Sequence, residues 1–354
     1  MSSSLPFGTC PVAIPGDGER ITLAHGEGAR MTRRLIERTI LPRLGSAVGP
    51  HELNDAAHIS MPSERLAFTT DSYVVSPLFF PGGDIGRLAV FGTVNDLAVS
   101  GAQPMWLSLS LIIEEGLPLG ILEQVLESIK RAAQEAGVQI TTGDTKVVPH
   151  GAADGLFINT SGIGRALEPP VSGPGSIQAG DELIITGPIG CHGLAILAAR
   201  ESLDLQPPPE SDCASLWPLV SALHAAGLLQ HVRAMRDATR GGLTAVLHEW
   251  SNACDLTLSI DETRIPITPS VRGASELLGL NPLYIANEGT MLLAVEPRHT
   301  APIMAALRAQ SPGDQACVIG AAQQRASVPV IVSRVTGTPR PLDEASGVLL
   351  PRIC

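Results

Sequence analysis

Apolar residues follow two rhythms along this chain. Residues 65–71 (RLAFTTD) alternate apolar and polar side chains, the period of a half-buried strand. The segments 105–113, 138–142 and 156–163 are further predicted strands, apolar and rich in strand formers. Residues 31–37 have helical spacing, and 86–101 (GRLAVFGTVNDLAVSG) predict a buried helix stopped by glycine. In 118–136, Leu119, Leu122, Val125, Leu126 and Ile129 share one face, which predicts an amphipathic helix. After a Pro/Gly/Ser-rich stretch at 166–180 the pattern restarts: a strand at 182–186, a glycine-rich turn, and a helix at 193–200. A helix at 243–254, a strand at 291–295 and a helix at 301–308 follow. Strands and helices mixed in both halves predict two α/β or α+β domains. The expected division is a flexible leader at 1–24, a first domain at 25–168, a second at 169–335 and a mobile tail at 336–354, without a sustained period, that carries the terminal cysteine.

Composition narrows the function. Apolar residues make up 44% of the 354 residues, enough for a substantial core. With 24 basic and 35 acidic residues the formal charge is −11, and aromatics are only 3%. Neither a cationic face nor a stacking platform for nucleic acid is predicted. Nucleotides are not excluded, because backbone N–H groups and a metal ion can hold them. No apolar run is long enough for a membrane helix, and the first residues lack the pattern of a secretion signal. The six cysteines are too far apart for a CxxC pair. A cytoplasmic chain with reduced, mostly buried thiols is the expectation.

Four aspartates fall at or near element ends or in an apolar helix: Asp71, Asp84, Asp96 and Asp237. Carboxylates together with a polyphosphate suit Mg2+, although Asp71 and Asp84 also read as turn or capping residues. Asp96, next to Asn95 and among Val94, Leu97, Ala98 and Val99, needs a partner if buried. Thr141-Thr142-Gly143-Asp144-Thr145-Lys146 reads as a strand-end glycine turn, either a phosphate clamp or a polar turn with a surface lysine. His25-Gly26-Glu27-Gly28 and Gly187-Pro188-Ile189-Gly190-Cys191-His192-Gly193 could likewise wrap an anion or merely turn the chain. Glu288, before an apolar strand, is a general base or a turn carboxylate. Cys354 ends the chain, a thiol able to carry a group between sites or an incidental one. Its α-carboxylate opposes thiolate formation, so a reactive Cys354 needs a cation nearby, Lys146 or an arginine.

Several blocks together resemble the HypE family of hydrogenase expression/formation proteins. They are FTTDSYVVSPLFFPGGDIGRLAVFGTVNDLAVSGA (68–102), EEGLP (114–118), TGDTKVV (142–148), RDATRGGL (236–243), ANEG (286–289) and the terminal PRIC (351–354). The resemblance implies an aminoimidazole ribotide synthetase-like (PurM-like) fold, a homodimer paired through the first domains, and the cofactors ATP and Mg2+. It implies that a carbamoyl group from the partner HypF is placed on Cys354 and dehydrated to a thiocyanate. The cyano group then passes to iron on a HypC–HypD complex. It implies metal or nucleotide ligation by Asp71, Asp84, Asp96 and Asp237, and nucleotide contacts from His25, Gly26, Asn95, Thr142, Gly143 and Asp144. Lys146 and Glu288 become catalytic candidates beside Cys354. Ala29 stands where the family usually has a glycine.

Overall fold

The computed structural model describes residues 30–35, 37, 57–60, 65–334, 338–344, 350 and 353–354. The leader and the His25–Gly26 loop lie outside the described residues. A short helix, α1 (Arg30–Leu35), is followed by β1 (Ala57–Ser60) and β2 (Arg65–Tyr73). A two-stranded ribbon, β3 (Phe79–Phe80) and β4 (Gly83–Asp84), leads into α2 (Ile85–Val99). Then come β5 (Ala102–Glu114), α3 (Leu119–Ala136), β6 (Gln139–Val148) and β7 (Leu156–Ala166). The first domain is a sheet in the order β1-β2-β7-β5-β6, antiparallel except for β5 and β6. Helix α2 is buried on nearly every side, as its uniformly apolar sequence requires. Helix α3, amphipathic as predicted, buries Val125, Ile129, Ala132 and Ala133 and ends on Gly137 in the left-handed conformation.

The second domain contains β8 (Glu182–Ile185), α4 (Cys191–Arg200), α5 (Trp217–Ala225), β9 (Val232–Asp237), α6 (Gly242–Cys254) and β10 (Thr257–Asp261). It continues with α7 (Pro269–Leu278), β11 (Met291–Val295), α8 (Thr300–Arg308), β12 (Cys317–Gln323), β13 (Val330–Ser333) and β14 (Pro339–Pro341). Its sheet runs β14-β13-β10-β12-β8-β11-β9, antiparallel except for β10 and β13. Of the two classes open from the sequence, mixed and mainly antiparallel sheets make this α+β. Asn95, on α2, joins the domains. Its amide nitrogen donates to the carbonyls of Ala214 and Glu288, and its side-chain oxygen accepts from Leu216 N–H at 2.7 Å.

Two expectations change. The segment 141–146 is not a turn: β6 continues through it to Val148, in parallel register with β5. Gly143 allows this, because a Cβ there would collide with the Leu109 carbonyl of β5. Nor is the tail loose where it is described. Strand β14 extends the second sheet, while Leu350 and Ile353 are buried in an apolar cluster shared by the two domains. Gly143→Val is expected to destabilise the chain by about 2 kcal/mol or more, since the collision is with backbone and no rotamer relieves it; chemical denaturation checks this.

Candidate functional site

Strand β2 organises the site. Its alternation points Ala67, Thr69 and Tyr73 toward α2 and leaves Phe68, Thr70 and Ser72 on the open face of the sheet. Asp71 lies on the α2 side. The Thr69 hydroxyl donates to Asp96 at 2.8 Å, giving that helix carboxylate the partner its apolar surroundings demand. At the end of β9 the chain turns through Thr239 and Arg240 into α6, with Gly241 and Gly242 both at positive φ. Asp71, Asp96 and Asp237 line one cavity of about 270 Å3 with Thr69, Thr70 and Arg240. The Arg240 guanidinium stands 3.7 Å from Asp71.

The electrostatics of this cavity are unusual. Burial pushes Asp71 up, and Arg240 partly opposes the shift. Burial is also the main cause that raises Asp237, to about 6, with Arg236 opposing and the neighbouring Asp71 adding to the rise. Glu288 is raised well above the ordinary carboxylate range, first by burial and then by Asp237, Asp71 and Asp212. Asp71, Asp96 and Asp237 line the cavity with the carboxylate oxygens a hard divalent cation takes, but the three do not converge as a finished ligand set, so they suit Mg2+ that keeps water or phosphate oxygens in its shell. Glu288 is held from behind: its own N–H and that of Gly289 donate to the two oxygens of Asp212 at 3.1 and 3.0 Å. The Asp212 carbonyl occupies the space a Cβ at 289 would need.

Cys354 reaches the same region. An oxygen of its α-carboxylate accepts the N–H of Val74 at 3.1 Å, just beyond β2. From Asp71 to Val74 is three residues, about 10 Å along an extended chain. The charge at Cys354 is the largest influence holding Arg240 protonated. Of the two cations open from the sequence, the arginine is therefore the one beside the terminus. The preceding residue is tied as well: the Ile353 carbonyl meets His192 Nε2 at 2.5 Å, and His192 Nδ1 meets the Ser211 hydroxyl at 2.8 Å.

The other sequence candidates are elsewhere. Asp84 caps α2, accepting from the N–H groups of Gly86 and Arg87, while its second oxygen accepts from the Ser128 hydroxyl at 2.6 Å. It does not line the cavity, and both its oxygens are engaged; the capping alternative describes it. Asn95 has its amide committed to the domain junction, which leaves it no free group for a nucleotide. Thr142, Asp144 and Lys146 lie on the open face of β6. Thr142 and Asp144 are in line with Ser108 and Ser110 of β5, and with Ser161 and Asn159 of β7. Lys146 pairs with Asp144 at 2.9 Å, both exposed, and neither lines the carboxylate cavity.

Sequence reasoning missed Arg240, Asp212, His192 and Ser211. Arg240 lay within the quoted RDATRGGL block; Asp212 and Ser211 sit in a loop without periodicity and carried no signal. One other cluster, His231, Glu296 and His299, has metal-ligand chemistry. Its imidazoles stack 3.4 Å apart and nearly parallel, so their in-plane lone pairs cannot converge, and Arg233 and Arg298 already hold the carboxylate.

Burial lowers His192 to about 4, against the backbone hydrogen bond to Ile353. The unfolded chain therefore takes up this proton at higher pH than the folded one. Stability is expected to fall as pH drops from about 6.5 toward 4, by up to about 3 kcal/mol from this residue. Chemical denaturation across that range tests it; His192→Gln should flatten this part of the profile.

Comparison with known proteins agrees with this architecture. Residues 53–166 match the family described as AIR synthase related protein, N-terminal domain, and 178–333 match its C-terminal domain. The chain is 46% identical over 341 residues to carbamoyl dehydratase HypE of Rhodobacter capsulatus, covering 95% of this chain and 98% of that one. It is 44% identical to the Escherichia coli K12 protein of the same name, over 94% and 99% of the two chains. Among solved structures, a HypE–HypF complex aligns with a TM-score of 0.82 at 38% identity, covering 88% of this chain and 99% of that one. HypE in complex with ATP aligns with a TM-score of 0.78 at 41% identity, over 95% and 100%. Thiamine monophosphate kinase from Aquifex aeolicus, 18% identical with a TM-score of 0.64 over 88% of this chain and all of that one, shares the fold alone. The two matched domains and near-full-length identity place this chain in the HypE family of carbamoyl dehydratases, enzymes of hydrogenase maturation, with the PurM-like fold.

Proposed function

We propose that this chain dehydrates an S-carboxamide carried on its own Cys354 to a thiocyanate, at the expense of ATP, and so supplies cyanide for a hydrogenase iron. The observation that carries the reading is the docking of Cys354 on Val74, beside Arg240, at the end of the strand that also lines the carboxylate cavity. An amide oxygen is a poor leaving group. Transfer of the γ-phosphoryl to it lets oxygen depart as phosphate, and loss of two N–H protons completes the nitrile. Mg2+ held by Asp71, Asp96 and Asp237 would spread the phosphate charge. Arg240 holds the terminal residue and offsets the negative charge gathered there. Glu288, once deprotonated, is a stronger base than an exposed glutamate, because burial favours its protonated form. It takes one proton from nitrogen, the departing phosphate carries off the other, and Glu288 gives its proton up to solvent when the site reopens. The buried position of Ile353 excludes water that would hydrolyse the activated amide.

HypF is the proposed carbamoyl donor and a HypC–HypD complex the proposed acceptor. In a single chain Lys146 faces away from Glu288, so its role at the amide oxygen belongs to a site assembled from two copies. The open sheet face supports such a homodimer: Phe68, Trp106, Ile112, Ile140 and Val147 are exposed there or along its edge strand. Trp106→Glu is expected to shift the protein to monomer in analytical ultracentrifugation.

The decisive experiment is intact mass after incubation with HypF, carbamoyl phosphate and ATP. Wild type gains a carbamoyl group and then loses one water, both at residue 354. Cys354→Ser gains neither. Glu288→Gln gains the carbamoyl group but dehydrates it about 100-fold or more slowly. A Gln variant converting at the normal rate removes Glu288 from the mechanism, and cyanide supply by the serine variant overturns the reading altogether.

A further inference from the structure

The tail segment that brings Cys354 to the site is tied by a hydrogen bond that this chemistry does not use. We infer that His192, oriented by Ser211, is a latch on the Ile353 carbonyl that determines whether Cys354 is seated or released. His192 is a positioning residue: it touches the backbone of the tail and not the thiol.

The roles at the ring follow from the partners. A carbonyl oxygen can only accept, so His192 Nε2 carries the hydrogen and donates it to Ile353. Nδ1 is then the acceptor, and the Ser211 hydroxyl donates to it. The Ser211 oxygen in turn accepts the N–H of Cys213 at 3.1 Å, and the Ser211 N–H donates to the Pro81 carbonyl at 2.8 Å. Ser211 is thus held in place by Pro81 and Cys213, and its hydroxyl supports the tautomer that the Ile353 carbonyl requires. Phe80 stands edge-on to the imidazole, 5.5 Å away at 86°, and limits its rotation. The ring is fully buried, so no water competes for the Ile353 carbonyl.

The apolar contacts around the latch serve the same seat. Leu350 and Ile353 are buried against the core, and a Cβ at Gly193, the residue after His192, would collide with Ile285 at 2.6 Å and press on Leu350 at 3.0 Å. Glycine at 193 therefore leaves room for Ile285 and, behind it, for the tail beside its latch. One buried hydrogen bond with a few apolar contacts is enough to hold a terminus and weak enough to release it. The proposed function needs both states, since a carboxamide must be loaded from outside and dehydrated inside; the inference rests on that reading only for its purpose.

The test reads the seat directly, without nucleotide, partner or turnover. Wild type and variants are pulsed with iodoacetamide, and labelling is resolved at Cys354, Cys191 and Cys213 by peptide mass spectrometry. Cys191 and Cys213 are buried in the same core and report on its integrity. His192→Leu is expected to speed labelling of Cys354 roughly tenfold while the other two stay protected. His192→Gln, which keeps an N–H donor, should restore most of the protection, and Ser211→Ala should fall between. Unchanged Cys354 labelling in His192→Leu overturns the latch. A parallel rise at all three cysteines in both His192 variants also overturns it, assigning His192 to core packing. Should Cys354 carry no carboxamide chemistry at all, the labelling result stands independently.

Discussion

Arg240 is a guanidinium placed among buried acids, and its charge is the constraint around which the site is arranged. Asp71 lies 3.7 Å away, Glu288 adds to its field, and the terminal residue adds more than either. Without this cation, Asp71, Asp237 and Glu288 would crowd negative charge into a cavity that burial already makes unfavourable. With it, the acids are still under-compensated: Asp237 and Glu288 remain raised. That shortfall is a form of preparation. A site that is electrostatically complete would have nothing to gain from a cation or a phosphate, whereas this one does.

The constraint also explains how the domains are joined. The acids come from both: Asp71 and Asp96 from the first domain, Asp237, Asp212 and Glu288 from the second. Asn95 helps bring them together by bonding the backbone of residues 214, 216 and 288, and apolar residues of α2 such as Ala98 and Val99 pack on the second domain beside it. The terminal residue then docks on Val74 of the first domain while His192 of the second holds its neighbour. Contacts within each domain orient Asp96 and Glu288, and contacts across the junction bring them and Cys354 together. A movement between the domains would alter the acid cluster and the seat of Cys354 together.

Legibility from the sequence varied by position, for physical reasons. Helix α2 was readable because an unbroken apolar run flanked by glycines has few alternatives, and α3 because its apolar stripe is strict. The strands expected at 65–71, 182–186 and 291–295 came close as well. The segment 141–146 was misread as a turn because glycine after a short apolar strand usually signals one. Its actual reason for glycine is the approach of the Leu109 carbonyl, a contact 34 residues away that no local pattern records. Elements such as α5, α7 and β13 were unassigned, since their patterns are short or interrupted by polar residues.

The sequence alone determined that strands and helices mix in two domains, the order of the principal elements and the acidic candidates, and it singled out the final cysteine as a candidate; all of these depend on local periodicity or on residue types in contiguous blocks. Only the tertiary structure decided which aspartates share a cavity, because Asp84 and Asp96 are equally plausible until the one is seen capping a helix and the other facing Thr69. The same holds for Arg240, Asp212 and His192. Their roles arise from neighbours distant in the chain, and the effect of burial on charge and hydrogen bonding exists only once those neighbours have been brought together.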